Sequence, residues 1–557
     1  DVIGIAYDGD NNTITFYKNG ASQGAISITP DSYHFAVSYG AGSAGGTPAI
    51  MNFGQRPFSH PVSGYNSLCT TNLPDPTIAD GSTAFDAKAF TANNGSQSIS
   101  LGFAPDLVWT KSRANAYEGQ IFDIVRGNNQ ELSPNATRAD RTLANSLTFD
   151  SSGFTMPSNN NNANYGSGGS VAWAWDAGSS NTSISAGSLN SSVYDQSQTW
   201  SSGITSGSSP NSSYGVANAF NGGKTGLNNT CFVNNSSHVQ VDFTTLSSAS
   251  TVTVHYTANG SGVLKVNGTN QAIDGSGSNV YRSVTVNVSG LSSVRWEQAD
   301  GSNFVGVSGI EVDGKLLVDN GVTLANVPTI ASTVRANPST GFSIVSYSGN
   351  GTNGATVGHA LNKKPDLILL KSRGDTQNWF VYHSALGATK AIFLSTTDLA
   401  NTNSVYFNNT EPTSSVFSLG TRAGINQNTD PMIAYCFSAV EGYSAFGSYT
   451  GNGAGGYPNA DGPFVYLGFR PQFVLIKASS QAENWVIYDT ARSTYNVLDD
   501  QLYPNASTAE TSGANREIDV YSNGFKIRSN SGQVNSNSAT YIYACFAEHP
   551  FKTARAR

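Results

Sequence analysis

Pairs of acidic residues are the first candidates for chemistry in this chain, because two carboxyl groups in one groove can act as general acid and general base. Asp8 and Asp10 form one such pair, and Asp499 and Asp500 form another. Asp8 and Asp10 stand in a polar run with Gly9, and short acidic side chains favour turns because they hydrogen-bond to nearby backbone. The sequence therefore predicts a hairpin tip at the first pair and a solvated pair or cap at the second.

The sequence also contains none of the common nucleophile or metal motifs. Its seven histidines form no His-x-x-x-His or His-Glu-x-x-His pattern, and there is no Gly-x-Ser-x-Gly or Walker A motif. Four cysteines are spread singly, with no Cys-x-x-Cys pair: Cys69, Cys231, Cys436 and Cys545. We therefore predict a protein that is not an enzyme, with no cofactor and no catalytic or metal-binding residues.

A few aromatic and histidine residues remain as candidates for ligand binding. Trp200 and Trp296 have polar sequence neighbours, which favours stacking on the face of a sugar. His238 and His255 fall in predicted strands and could face a ligand cleft, or could be ordinary core or surface residues. The predicted ligand-binding residues are Trp200, His238 and Trp296.

The elements around these residues include a β-rich unit that is written three times. In each copy a lysine follows a proline by six residues, at 105–111, 365–371 and 471–477, and an aromatic strand and a closing strand come later. Repeats on this scale favour a modular protein that works by display or contact. Cys436 and Cys545 hold one matched position, where the first copy has Ala174, which predicts buried thiols.

The three matched lysines are Lys111, Lys371 and Lys477. A lysine at the end of a strand discourages pairing of that strand edge with another chain, and we favour this structural interpretation. The alternative is that each lysine pairs with a carboxylate of a partner or a neighbouring subunit.

The overall prediction is an all-β protein, an elongated string of antiparallel β-sandwiches and jelly rolls. Its predicted parts are half of a sandwich (1–60), a linker (61–82), repeat copy 1 (83–178), an inserted jelly roll (184–333), repeat copy 2 (340–440), repeat copy 3 (443–551) and a basic tail (552–557). Asn19-Gly20 predicts a type I′ hairpin turn, because both of its central residues need positive φ.

Composition narrows the possible partners. Charged residues make up only 12% of the chain and the net charge is −8, which argues against a nucleic acid partner. No apolar run approaches the roughly 18 residues that predict a membrane span. The chain begins within a strand pattern and lacks an initiator Met, so we expect a further segment upstream.

Two stretches resemble known families. IGIAYD, ITFYKNG and MNFGQRPF, all within residues 3–58, resemble the second half of a SPRY domain, a concanavalin-like sandwich that contacts proteins or glycans. ANAFNG at 217–222, the strand VQVDF at 239–243 and GIEV at 309–312 resemble a discoidin-like, galactose-binding jelly roll. That resemblance implies sugar binding and a structural calcium ion near Asn221. However, Asn221 replaces the usual acid, and Gly309 stands where a calcium-binding carboxylate is common.

The repeat itself resembles modules of tailed-phage virion proteins, especially marine and cyanophage ones, through its Gly-Phe-x-Pro-Asp-Leu-Val start and its YIYACFAE finish. This resemblance implies a structural virion protein, a tail fibre or appendage for adhesion to the host. Its partners would be other virion proteins, further copies of itself and a host-surface glycan or protein. A capsid-surface or decoration protein, a secreted bacterial adhesin or lectin, and a glycan depolymerase remain as alternatives.

Overall fold

A computed structural model describes most of the chain. The described residues are 1–29, 50–68, 72, 75–158, 163–186, 194–234, 236–260, 262–277, 280–298, 303–320, 322, 327–458 and 460–550. Cys69 and the predicted basic tail 552–557 lie outside these residues.

The described residues confirm the all-β prediction, with α-helix limited to α1 (Ala423–Asn426) and α2 (Gly532–Asn535). None of their helices is long and apolar enough to cross a membrane. The chain begins with an antiparallel meander of β1 (Ile3–Asp8), β2 (Thr13–Lys18) and β3 (Ala21–Ser27). Its second turn has positive φ at Asn19 and Gly20, 49° and 85°, as Asn-Gly predicts.

The first repeat, module 1, is a sandwich of two sheets in the orders β4-β12-β6-β7 and β10-β11-β5. Its strands are β4 (Phe85–Thr91), β5 (Gln97–Ser100), β6 (Leu107–Ser112), β7 (Gln120–Asp123), β8 (Gln130–Glu131), β9 (Arg141–Thr142), β10 (Thr148–Asp150), β11 (Gly153–Met156) and β12 (Gly169–Trp175).

An inserted domain follows module 1. Its strands are β14 (Tyr194–Asp195), β15 (His238–Asp242), β16 (Thr251–Asn259), β17 (Val263–Val266), β18 (Thr269–Asn270), β19 (Tyr281–Asn287), β20 (Ser293–Glu297), β21 (Phe304–Val312) and β22 (Lys315–Leu317). They form two sheets in the orders β14-β22-β21-β16-β19 and β15-β20-β17-β18, with an apolar core drawn from both. The chain enters through β13 (Asn181–Ile184), which pairs with the first strand of the next module.

Modules 2 and 3 repeat the strand order of module 1, as β24-β31-β26-β27 and β32-β38-β34-β35. Module 2 consists of β23 (Ser332–Asn337), β24 (Phe342–Ser348), β25 (Ala355–Gly358), β26 (Leu367–Ser372), β27 (Phe380–His383), β28 (Lys390–Phe393), β29 (Asn401–Thr402), β30 (Val416–Leu419), α1 and β31 (Pro431–Phe437). Module 3 consists of β32 (Ser444–Thr450), β33 (Phe464–Tyr466), β34 (Phe469–Ala478), β35 (Trp485–Asp489), β36 (Ile518–Tyr521), β37 (Gly524–Ile527), α2 and β38 (Thr540–Pro550).

The three modules share one hydrophobic core, to which each contributes one face of its larger sheet. Three matched aromatic residues, Trp175, Phe437 and Phe546, meet there. Their ring centroids lie 6.1 Å (Trp175–Phe437), 5.6 Å (Trp175–Phe546) and 5.6 Å (Phe437–Phe546) apart. The modules therefore lie side by side around a pseudo-threefold axis, and the structure does not show the elongated string expected from the sequence.

Two-sided burial explains this arrangement. Every residue of β6 and of β26 is buried, so neither face of these strands meets water. In β6, Trp109 faces the shared core, whereas Val108 packs on the smaller sheet of its own module. Strands buried on both faces are nearly continuous apolar runs, and an end-to-end string would leave one of those faces exposed. The thiols of Cys436 and Cys545 are fully buried, which confirms the buried-thiol prediction.

Candidate functional site

The two tryptophans predicted to stack on sugar lie inside the core of the inserted domain. The indole Nε1 of Trp200 donates to the carbonyl of Asp195 at 2.8 Å, and that of Trp296 donates to the carbonyl of Cys231 at 3.1 Å. Both side chains are almost wholly buried. Each polar end is satisfied within the domain, and neither ring presents a face to solvent, where a sugar would have to approach.

His238 lies apart from this core. It begins β15 and pairs across the sheet with Glu297, whose carboxylate accepts from Lys265 (2.7 Å) and Arg295 (2.6 Å). His255 is on β16, in the other sheet of the domain. The structure therefore does not bring the two histidines together in one cleft.

His255 instead belongs to a small polar cluster on the outer face of the five-stranded sheet. Its Nε2 lies 3.4 Å from Oε1 of Glu311, and the ammonium of Lys224 pairs with the same oxygen. Burial is the main cause that lowers the pKa of His255; Glu311 opposes it and Lys224 adds to it. The imidazole is therefore neutral near pH 7. A neutral ring, a carboxylate and an ammonium group together can hydrogen-bond a polar ligand.

Asn221, the weak calcium candidate, has an amide that closes its own loop. Its Oδ1 accepts from the backbone N–H of Gly223 at 3.2 Å, and its Nδ2 donates to the carbonyl of Asn228 at 2.9 Å. Calcium prefers six to eight oxygen ligands. Within the part of the chain that the structure describes, no three His, Cys, Asp or Glu side chains group so that they could hold a metal ion. The loop itself engages both polar atoms of the Asn221 amide, and calcium binding there stays a prediction.

The matched lysines lie at the boundaries between modules. Each Nζ donates to a backbone carbonyl of a different module: Lys111 to Ala506 (3.0 Å), Lys371 to Thr137 (3.1 Å) and Lys477 to Thr397 (3.1 Å). These hydrogen bonds thus join module 1 to module 3, module 2 to module 1, and module 3 to module 2. Burial lowers the pKa of all three to about 8. Each Nζ also donates to a carbonyl of its own module, so the lysine joins backbone of two copies, a role that neither sequence interpretation included.

A comparison with protein families places the chain. One family model matches residues 80–314 and again residues 317–550. The chain belongs to this family, described as a domain of unknown function (DUF7483). The first DUF7483 match spans module 1 and nearly all of the inserted domain, and the second spans modules 2 and 3. No curated protein matches the chain.

Three aromatic residues that sequence reasoning did not single out lie within the second DUF7483 match. Phe464 and Tyr466 are exposed, and Tyr521 is half-buried. The alternation Phe464-Val465-Tyr466 could have revealed them. Successive strand residues point to opposite faces, so an inward Val465 places both aromatic neighbours on the outer face.

Proposed function

We propose that this protein is a non-enzymatic structural component of a virion, a tail fibre or tail appendage subunit that displays β-domains to host-surface glycans. The observation that carries the proposal is the way the inserted domain is attached. The chain runs through β13 into the inserted domain and returns to module 2 through β23. These two strands are adjacent antiparallel partners at the edge of one sheet.

This attachment suits display, because both tethers start at one place on a fixed base. Ile184, the last residue of β13, pairs with Ser332, the first residue of β23. Ile184 is also buried in the core of module 2, where a Cβ built on Gly358 would lie 2.9 Å from its Cδ1. Two anchored strands restrict rotation of the displayed domain more than a single linker does.

The base supports the same function. Three sandwiches that share one core and exchange lysine–carbonyl bonds resist separation of any one module. A rigid base presents surface groups in fixed positions, and weak sites gain avidity when a particle carries many copies. The resemblance to phage virion modules supports the virion location, and the attachment of the inserted domain supports only its display.

Labelling of particles tests the proposal. Antibody fragments raised against the inserted domain, residues 184–333, should decorate tail tips or side fibres of intact virions in electron micrographs. Fragments against the surface loops of module 3 provide a second epitope on the same subunit. Label over the head would contradict the tail assignment, and absence of both labels from particles would contradict a virion location.

Binding to cells tests the adhesive part separately. The purified chain should bind host cells, and pretreatment of the cells with periodate, which destroys vicinal diols of glycans, should abolish that binding. Binding that survives periodate would contradict a glycan receptor, and absence of binding to any host cell would contradict adhesion.

A further inference from the structure

The outer face of the small sheet of module 3 carries an exposed group of aromatic side chains. Phe464, Tyr466 and Tyr521 form this aromatic surface, on the sheet of order β33-β37-β36. The exposed fraction is 46% for Phe464 and 63% for Tyr466. Large aromatic residues usually bury most of their surface in the fold, so two strongly exposed rings on one strand call for an explanation.

Strand register places the three side chains on one face of the sheet. Tyr466 pairs with Gly524, which pairs in turn with Tyr521. The Phe464 and Tyr521 ring centroids lie 6.0 Å apart at an interplanar angle of 66°. A Cβ built on Gly524 would lie 2.1 Å from the carbonyl oxygen of Val465 and 3.2 Å from Cζ of Phe464. The backbone itself therefore requires glycine at this position, and the phenyl ring extends over it across the middle strand.

Ion pairs border the aromatic surface. Lys526 pairs with Asp461, and Arg528 lies 3.3 Å from Asp519. Asp519 also accepts a hydrogen bond from the hydroxyl of Tyr521 at 3.1 Å. The two cationic and two anionic groups cancel, so the border offers hydrogen-bond donors and acceptors without net charge.

The sister modules show that the sheet does not need these rings. In module 1 the positions of Phe464 and Tyr466 are held by Ser98 and Ser100, which pair with the same strand in the same register. In module 2 they are held by Thr356 and Gly358.

The position of Tyr521 is held by Asp150 in module 1. Residues that are small or polar therefore satisfy the same backbone frame in the sister modules. The aromatic residues are a property of module 3 alone and not a requirement of the fold.

We propose that the aromatic surface binds a neutral polysaccharide. A pyranose ring has an apolar C–H face, which packs on an aromatic ring, and equatorial hydroxyls, which bond to flanking charged and polar groups. β33 has only one strand partner, so the surface is an open sheet edge and not a closed pocket. Such a shape suits an extended chain that crosses the rings, and the balanced border favours an uncharged chain. This inference rests on the proposed adhesive function and names one site for it.

Affinity electrophoresis of the full chain tests the inference, with gels that contain dextran, mannan, galactan or β-glucan as neutral probes and alginate as an anionic one. At least one neutral polysaccharide should retard the protein. Tyr466→Ser and Phe464→Ser, which install the module 1 residues, should each weaken that retardation at least tenfold. Tyr495→Ser, at a 73% exposed tyrosine elsewhere in module 3, is the matched control and should bind as the unaltered chain does.

The outcomes separate this site from the general function. Phe464 also covers Gly524, so Tyr466→Ser, at the more exposed ring, decides the matter, and its thermal midpoint should stay within a few degrees of the parent's. If Tyr466→Ser binds the probe as well as the parent, or if only alginate retards the chain, the inference fails. If the parent binds host cells by a periodate-sensitive contact but no neutral probe is retarded, this site is overturned while the adhesive function stands.

Discussion

The boundaries between modules can be compared directly, because the repeats place matched residues at each. At the boundary of modules 1 and 2, Asp123 pairs with Arg126 at 2.5 Å, and Asp140 pairs with Arg373 across the boundary at 2.8 Å. The hydroxyl of Tyr435 in module 2 donates to Asp123 at 2.6 Å. The boundary of modules 1 and 3 repeats the four charged positions with Asp489, Arg492, Glu510 and Arg113. Trp173, whose Nε1 donates to Asp489, takes the place of Tyr435.

The boundary of modules 2 and 3 holds a different set at the same four positions: His383, Leu386, Ala400 and Ser479. Burial lowers the pKa of His383 to about 4, so the imidazole is neutral, and its Nε2 lies 3.0 Å from the carbonyl of Tyr543. At this boundary, uncharged residues therefore replace both the acidic residues and the arginines of the charged set. A buried charge left without its partner is strongly destabilising, whereas a fully exchanged set is tolerated.

Contacts that do not depend on these charges are common to all three boundaries. Besides the lysine–carbonyl bonds, one backbone bond recurs: Asp140 N–H to Arg373 (3.0 Å), Ala400 N–H to Ser479 (2.9 Å) and Glu510 N–H to Arg113 (2.8 Å). The shared core, the lysines and the backbone bonds therefore define the assembly. The ion pairs are an interchangeable addition to it.

The largest expected effect comes from breaking one charged set. Asp123→Leu should destabilise the chain by about 3–5 kcal/mol, because it leaves Arg126 buried without its carboxylate. Installing the neutral set by Asp123→His, Arg126→Leu, Asp140→Ala and Arg373→Ser should cost less than the single change. Urea unfolding of both variants measures this. A fourfold variant that is less stable than the single one would contradict the view that the charges act as a set.

A smaller effect is expected from the lysines. Lys371→Met and Lys477→Met should each cost about 1–3 kcal/mol, because each leaves buried carbonyls without a donor. The two losses should be alike, although one lysine lies at a charged boundary and the other at the neutral one. Lys364→Met removes a surface ion pair with Glu411 and is the control, with an expected change under about 1 kcal/mol. A large loss at only one boundary would contradict equivalent lysine roles.

The smallest effect is a pH dependence. The folded-state pKa of Lys371 and of Lys477 is about 8, below the ordinary value of 10.5. Between those values the unfolded chain binds more protons than the folded one, so these lysines make stability rise with pH. The buried thiol of Cys436, with its raised pKa, opposes this above its ordinary value of 9.0.

Thermal midpoints between pH 8 and 9 therefore give the cleanest reading. The slope of midpoint against pH should be more positive for the parent than for Lys371→Met. Identical slopes would show that burial does not depress the lysine pKa.

Much of the local structure was predictable, because strand alternation, the Asn19-Gly20 turn and the three repeats depend on nearby residues. The same alternation indicates that Trp296 is buried. Its neighbours Arg295 and Glu297 point outward from β20 because Trp296 points inward, so the polar neighbours that suggested sugar stacking were a sign of burial.

The uninterrupted apolar run 367–370 indicates a strand that is buried on both faces, which is consistent with the side-by-side assembly. The run does not identify the surface that covers its second face. Such pairing depends on contacts between residues hundreds of positions apart. The aromatic surface of module 3 was accessible to sequence reasoning through the alternation Phe464-Val465-Tyr466 and through comparison with Ser98 and Ser100 of module 1.

Hydrogen exchange measured by mass spectrometry tests most directly the claim that the three modules form one fused base. The central strands β6, β26 and β34 should exchange with one common opening free energy, and Lys477→Met should lower it in all three. Three separate values in the parent, or a loss of protection confined to β26 and β34 in the variant, would contradict a shared base.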